Sequence, residues 1–485
     1  MKRILACVLA VVMVLALTSC SGGKTSALNP KNPTTVTVWN YYNGDQLAAF
    51  EQLVEEFNAS VGTEKGIVVM TVSQGDISTL ADALLDSVNG KVGAQERPTL
   101  AAVYSETAFI LDQLKALEPL DSYFTKEELA KYVPDFLEDG RFNANNDLLL
   151  FPISKSTELF TANQTDWEPF AEATGVTLES IKTLEDLTAA AKTYYDWTDE
   201  QTPDTANDGK ALYGRDSTAN YIYLGCYQLG HELFKVSSGK MTLDMDRDTF
   251  KKLWDNYYIP YINGYFGAYA KFRSEDCKTG RILSLTSSSS SMGYMPTAVT
   301  LTDDSTHDIT IYESAPLPFA DAKENSVVLQ GASYCMLKST PAQQEGAVEF
   351  LKWFTASERN LTFALLSGYS PATLEANTRD AISKAYLGDT TTAKGQNMLN
   401  ALLISADVFS HNKAYATKPF EGSKDVRTLL GDALQGVADT DRAAVTEALA
   451  NGASLEDALA PYVTGEYFDA WFTGLCEQVN ALVAH

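Results

Sequence analysis

The side chains best suited to handle a ligand in this chain are tyrosines, serines and single acids set in short turn-forming stretches. Tyr41 and Tyr42 stand in Trp39-Asn40-Tyr41-Tyr42-Asn43-Gly44, directly after a strand pattern. Thr286 to Ser291 is an unbroken run of hydroxyl residues, including Ser288, Ser289 and Ser290, bracketed by Leu283/Leu285 and Met292-Gly293-Tyr294. Aromatic rings stack on the apolar faces of sugars, while Ser, Asn, Asp and Glu pair with their hydroxyls. A phosphate calls instead for an arginine fork, hydroxyls and backbone amides. The chain offers both sets. The serine run is either a flexible polar loop or a structured wall, and its apolar brackets favour the wall. Glu106 and Asp216 are candidate acceptors for sugar hydroxyls, or else surface or capping acids.

Covalent and metal chemistry find less support. There is no nucleophile elbow, P-loop or dinucleotide fingerprint. His231, His307, His411 and His485 are scattered, with no HExxH pattern. Asp204-Thr205-Ala206-Asn207-Asp208-Gly209 is faintly like a calcium loop, but Ala206 fails the third ligand position and Arg215 stands where the closing Glu belongs, so the stretch is a turn. No metal and no cofactor is expected. A glycoside hydrolase needs two carboxylates about 5–10 Å apart. With 63 acids some pair is inevitable, so this class stays open without a motif to support it.

The elements that position these residues are legible from periodicity. Val36 and Val38 alternate with Thr35 and Thr37, which predicts a strand; Leu47, Phe50, Val54 and Phe57 then recur at helical spacing. Residues 66–72 and 99–103 predict two further strands, each followed by a helix (77–90 and 108–116). Three strand–loop–helix units in a row argue for a parallel sheet in an α/β lobe. Ligands bind at the carboxyl ends of such strands, an edge that would collect Tyr41, Tyr42, Gly75, Ser105 and Glu106. Tyr41 and Tyr42 are there either cleft rim or packing, and Trp39 is the better candidate for core. From 160 to 315 the pattern turns helical and aromatic, with helices expected from Thr183 to about Trp197, from about Thr218 to Phe234 and within 248–272. Val327 to Leu337 predicts a strand interrupted at Gly331-Ala332-Ser333. Thr340-Pro341-Ala342-Gln343 has a capping-box pattern with proline at the first helical position.

The totals set limits. Net charge is 37 − 63 = −26, which weighs against nucleic-acid partners because those need a basic footprint. Lys2 and Arg3 precede an apolar run from Ile4 to Leu17, too short to span a membrane and of the length of a signal-peptide core. Cys226, Cys277, Cys335 and Cys476 lie far apart with no CxxC spacing, so one disulfide is open and buried thiols are favoured. The length of 485 residues exceeds what one core usually holds, and two lobes are expected.

Leu17-Thr18-Ser19-Cys20 resembles a bacterial lipobox. With VTVWNYYNGDQLAAFEQLVEEFN, KGIVVMTVSQG, FPISKSTELFTANQ, YGRDSTANY, SSSSSMGY, APLPF, GASYCMLKS with AVEFLKWFTASERN, and SGYSP, the order of segments resembles the family 1 extracellular solute-binding proteins of ABC importers, of the maltose- and glycerol-3-phosphate-binding type. The resemblance implies a two-lobed α/β fold of the periplasmic-binding-protein type (type II), with a cleft between lobes. Residues 1–19 would be a signal peptide and 20–34 a tether lipidated at Cys20. Residues 35–152 with 316–370 would form one lobe, and 153–315 with 371–485 the other, with crossings near 150–154, 316–328 and 367–374. It further implies a monomeric, lipid-anchored receptor on the outer face of the cell membrane, capturing a carbohydrate, or a polyol phosphate, for a permease. Lobe closure over ligand would be a hinge motion. Carried over residue by residue, the family's cleft lining falls on Tyr41, Tyr42, Ser156, Ser288–Ser290, Gly331 and Ser333. Arg427 falls where phosphate-binding relatives place an anion-binding arginine.

Overall fold

The computed structural model describes residues 26–237 and 240–483; the expected signal peptide and Cys20 lie outside them. Thr34–Asn40 forms the first strand and Gly44–Phe57 the helix that follows. Strand Ile67–Ser73 feeds helix Ile77–Val88, capped by the Asp76 carboxylate, and strand Leu100–Val103 feeds helix Ser105–Gln113. That last helix starts three residues earlier than its sequence pattern suggests, so Ser105 and Glu106 sit in its first turn.

The three strands are parallel, with Thr34–Asn40 in the centre, and Ser333–Met336 pairs antiparallel to Leu100–Val103 at the edge. Both faces are covered. Phe50, Phe57, Phe350, Phe354 and Phe363 pack on one side, and Leu80, Leu84, Ala108 and Leu111 on the other. This double burial explains why Leu100–Val103 is apolar throughout and does not alternate.

A second four-stranded sheet is made by Glu158–Asn163, Tyr213–Arg215, Ser284–Ser288 and Ile311–Ser314. Its order places 311–314 and 284–288 on either side of 158–163, with 213–215 outermost and parallel to 284–288. Helices Thr218–Gln228, Arg247–Ile262, Ser423–Ala450 and Gly465–Val483 build its large aromatic core. The helix expected to run to Phe234 stops at Gln228, because Phe234–Ser237 is a strand of a small hairpin. The two sheets give the molecule its two lobes.

The chain crosses between the lobes in extended pieces. Ser154–Lys155 pairs with Ser370–Pro371, Ser156 bridges Gln330, and Ser326–Val328 pairs with Lys413–Tyr415. The capping box at Thr340 and Gln343 opens helix Pro341–Phe354 as its sequence requires. Helix Ala393–His411 belongs to both lobes: Ala401 packs in the second sheet's core, Val408 and Phe409 in the first's. Cys226, Cys277 and Cys335 are buried free thiols and Cys476 is a half-buried one. Asp204–Gly209 is a turn, and among the described residues no group of acids, histidines and cysteines is spaced to hold a metal.

One acid stands out in the second sheet. Both carboxylate oxygens of Glu313 are buried without a partner, and burial pushes its pKa up to about 8. The native state therefore holds a proton that the unfolded chain releases near the ordinary glutamate value of 4.5, so stability falls as pH rises from there to about 8. Glu313→Gln is expected to raise stability by roughly 2 kcal/mol at pH 8, allowing for partial solvent exposure, with little gain at pH 4. Melting curves at the two pH values check this; equal gains at both would remove the burial argument.

Candidate functional site

The carboxyl ends of strands Leu100–Val103, Tyr213–Arg215 and Ser284–Ser288 face a cavity of about 530 Å³ between the lobes. From the first lobe come Ile77, Ser78, Tyr104, Ser105, Glu106 and Thr107; from the second, Ser217, Asn220, Tyr223, Ser288 and Ser290. The crossing segments add Lys155, Ser156, Gln330, Gly331, Tyr369 and Tyr415, the stretch leading into helix Ser423–Ala450 adds Lys418, and the first turns of that helix add Lys424 and Arg427.

Register explains the serine wall. Glu158 pairs with Ser288 in the antiparallel ladder, so residues just before Glu158 lie beside those just after Ser288. Ser288 Oγ donates to Ser156 Oγ at 3.3 Å and lies 2.9 Å from Ser290 Oγ, giving three hydroxyls in one cluster on the wall. Ser289 does not reach the cavity. Its N–H donates to Thr157 O at 2.8 Å and its Oγ accepts from Thr157 N–H, which turns the side chain inward at 2% exposure.

Two ionic constructions support the site. Lys155, 2% exposed at its side chain, donates to Asp139 Oδ2 at 2.6 Å and to Gly331 O at 2.8 Å. Gly331 has φ +107°, and a Cβ there would lie 3.3 Å from Ser154 O, so glycine is needed where the crossings touch. In the second lobe Arg215 Nη1 donates to Glu158 Oε2 at 2.9 Å, and Asn220 Nδ2 donates to Glu158 Oε1 at 2.7 Å. Arg427 Nη2 then donates to Asn220 Oδ1 at 2.6 Å, and the guanidinium sits 5.8 Å from the Tyr223 ring centroid. This chain of donors positions Arg427 from the sheet interior.

The tyrosines on the wall remain neutral hydroxyls. Burial pushes the Tyr104 pKa up to about 12, with Tyr369 adding to the rise while Arg427 opposes it. Burial likewise raises Tyr223 and Tyr415. Their rings and OH groups offer flat apolar faces with a polar tip.

Of the residues expected from the sequence, Glu106, Ser156, Ser288, Ser290, Gly331 and Arg427 are on the cavity wall. Tyr42 is in the core instead, 2% exposed and 5.2 Å from Phe50 between ring centroids. Asn40 Oδ1 accepts from Tyr42 N–H at 3.0 Å, and Tyr42 stacks into the cluster with Phe50 and Phe363. Tyr41 is half-buried behind the wall: burial raises its pKa, and so do Tyr369, Tyr42 and Tyr104, two of them wall residues. Trp39 is core, at 1% exposure. Gly75 is exposed and outside the cavity, its carbonyl accepting from Asn43 Nδ2. Asp216 is also outside, its Oδ1 accepting from Arg273 N–H at 2.9 Å. Ser333 is inside the edge strand, 2% exposed, with its Oγ unpartnered.

Sequence reading missed Tyr104, Lys155, Asn220, Tyr223 and Tyr369. Tyr104 was reachable, since it immediately follows a strand whose exit loop was already assigned to the ligand edge. A lysine set in Phe151-Pro152-Ile153-Ser154-Lys155, among apolar neighbours, was a second signal of a buried pair.

A family model described as bacterial extracellular solute-binding protein matches residues 52–387, well over half of the chain. Solved structures share the fold at low identity. The cyclic alpha-maltosyl-1,6-maltose binding protein from Arthrobacter globiformis is 18% identical, with TM-score 0.64 over 93% of this chain and 99% of that one. UgpB from Mycobacterium tuberculosis, in complex with glycerophosphocholine, is 16% identical at the same TM-score and coverage. The GacH receptor of Streptomyces glaucescens, solved unliganded and with acarbose, is 13% identical with TM-score 0.59 over 93% of this chain and 99% of that one. No curated protein sequence matches the chain. With two α/β lobes enclosing a cavity, and with the family model spanning strands of both, the chain belongs to the bacterial extracellular solute-binding proteins.

Proposed function

We propose that this protein is the receptor of an ABC importer for a carbohydrate, taken up in the cavity between its lobes and passed to a membrane permease. The observation that carries the reading is the composition of the wall: the tyrosines Tyr104, Tyr223, Tyr369 and Tyr415 share it with serines of both lobes and with Asn220. That is the pairing a sugar requires, with rings against its apolar faces and hydroxyls and amides for its OH groups. Sugar-binding proteins among the structures of like fold support it. Closure would pivot on the crossings near 150–154, 316–328 and 367–374, since ligand bridging both walls favours the state in which both are near. In this reading the lobes are divided broadly as the segment order implies, residues 35–152 with 316–370 against 153–315 with 371–485, except that Val408 and Phe409 pack in the first lobe's core and Phe319 and Val328 in the second's. In the same reading the protein acts as a monomer tethered through acylated Cys20 on the outer face of the membrane; among the described residues no helix is long and apolar enough to cross one.

A thermal-shift screen over mono- and oligosaccharides tests the proposal. A ligand at 100 times its Kd is expected to add about 2.7 kcal/mol by mass action. Tyr104→Ala is expected to cut that affinity about tenfold, through loss of one stacked ring. A screen in which no saccharide raises the melting temperature would overturn the reading, as would turnover of labelled oligosaccharides.

A further inference from the structure

Two acids line the cavity: Glu106 in the first turn of helix Ser105–Gln113, and Asp139 at the floor, where the crossings meet. Asp139 follows directly on helix Pro134–Glu138, and the Lys155 ammonium ties its Oδ2 to the carbonyl of Gly331. That tie uses only part of what the two groups can do. An ammonium has three N–H donors, and Lys155 directs two of them, one to Asp139 Oδ2 at 2.6 Å and one to Gly331 O at 2.8 Å. Among the described residues no acceptor takes the third. Lys155 is 2% exposed at its side chain and lines the cavity, so the cavity is where an acceptor for that N–H can stand.

Asp139 keeps a free oxygen as well. Its Oδ1 accepts from no donor among the described residues and is not sealed from solvent, while Oδ2 carries the ion pair. Lys155 Nζ touches Oδ2, and Oδ1 shares its carbon, so a free donor and a free acceptor are neighbours. Gln330 extends the set. Its backbone is fixed beside the lysine's crossing, because Ser156 N–H donates to Gln330 O and Gln330 N–H to Ser156 O, both at 2.9 Å. Gln330 lines the cavity, and its side-chain amide has no partner among the described residues. The net charge of the ion pair is zero, which suits uncharged hydroxyls better than an ion. One hydroxyl can accept from the ammonium while the next on the ring donates to the carboxylate, each bond strengthened by the charge on the protein side.

We propose that Asp139 and Lys155 are a specificity-determining pair on the cavity floor, where Lys155 donates its third N–H to one hydroxyl of the carbohydrate and Asp139 Oδ1 accepts from the adjacent one. This rests on the carbohydrate reading above and names the feature the floor selects, two free neighbouring hydroxyls. A sugar lacking either leaves a buried charged group without its partner, the costly case in recognition.

Isothermal titration of the full chain with glucose, galactose, mannose, maltose and maltotriose picks the tightest binder, and the monodeoxy analogues of that sugar are then the probes. Two analogues, lacking neighbouring hydroxyls, are expected to bind roughly 10- to 100-fold more weakly than the parent sugar. In Lys155→Met/Asp139→Leu, with both charges removed, the parent sugar is expected to weaken by about that factor, and those two analogues to bind as the parent does. A pair that only holds the crossings in place would weaken the parent and every analogue equally, so combining deoxygenation with substitution separates contact from positioning. Asp139→Asn, which leaves Lys155 an acceptor, repeats the comparison for the hydroxyl at Oδ1 in a chain that keeps the Lys155 bond. Each variant's unliganded melting temperature separates lost binding from lost folding. Coupling at fewer than two adjacent hydroxyls would overturn this inference and leave the carbohydrate reading standing. Binding of none of the five sugars would overturn both.

Discussion

Glu158→Ala is expected to destabilise the protein by about 3–5 kcal/mol. Glu158 and Arg215 are 4% and 6% exposed at their side chains, and the pair is bonded at 2.9 Å. Removing the carboxylate strands a guanidinium inside the second lobe, next to the Tyr221 ring at 5.1 Å, and unpairs the Asn220 amide as well. The cost comes from the charge left behind, so Glu158→Gln, which leaves an acceptor of the same shape, is expected to cost less than Glu158→Ala. Urea unfolding of the three proteins checks the order, and a loss below about 1 kcal/mol for the alanine variant would show that water reaches Arg215. Glu158→Ala also frees Asn220 to rotate, so Arg427 loses its fixed direction, and ligand affinity is expected to fall further in Glu158→Ala than in Glu158→Gln, where Asn220 keeps an acceptor.

Lys155→Met is expected to cost a comparable 3–5 kcal/mol, for the same reason with the sign of the stranded charge reversed. The lysine joins Asp139 of the first lobe to the carbonyl of Gly331, and it sits on the strand that pairs with Ser370–Pro371. It thus pins three chain segments, distant in sequence, where the lobes meet. Its loss leaves the Asp139 carboxylate, 12% exposed at its side chain, without a counter-charge. The double variant Lys155→Met/Asp139→Leu removes both charges and is expected to recover most of the stability, since apolar pairs of similar volume commonly replace buried ion pairs at no cost. Additive losses in the double-mutant cycle would show that the two side chains do not depend on one another. If the recovered double variant still binds ligand more weakly, the pair orients the crossings as well as stabilising them.

The success of sequence reading differs sharply between the lobe scaffold and the wall. Strands 34–40, 67–73 and 100–103 and the helices after them were legible because each is encoded in a short window, as alternation followed by three- and four-residue spacing. The helix start at Thr183 and the capping box at Thr340/Gln343 were legible for the same reason. Tyr42 shows where that stops. Its neighbours along the chain mark it as a loop aromatic at a ligand edge, but its ring packs on Phe363, more than three hundred residues later. Local pattern cannot say whether an aromatic in a turn points at the cleft or at the core, since that depends on which distant rings are waiting.

Periodicity was enough to determine the first α/β lobe and the strand ends from which a site would be built, because those properties follow from the burial pattern of contiguous residues, while length called for a second lobe and only the family resemblance implied that it too is α/β. Which side chains meet was left to the tertiary structure. Lys155 finds Asp139 and Gly331, Ser156 finds Ser288, and Arg427 reaches Asn220 and through it Glu158, each across a sequence gap that carries no local signal. The sign of the cavity belongs to the same class. A chain of net −26 places four cations beside two acids on its cavity wall because folding brings Lys155 together with Lys418, Lys424 and Arg427, an arrangement that summed composition conceals.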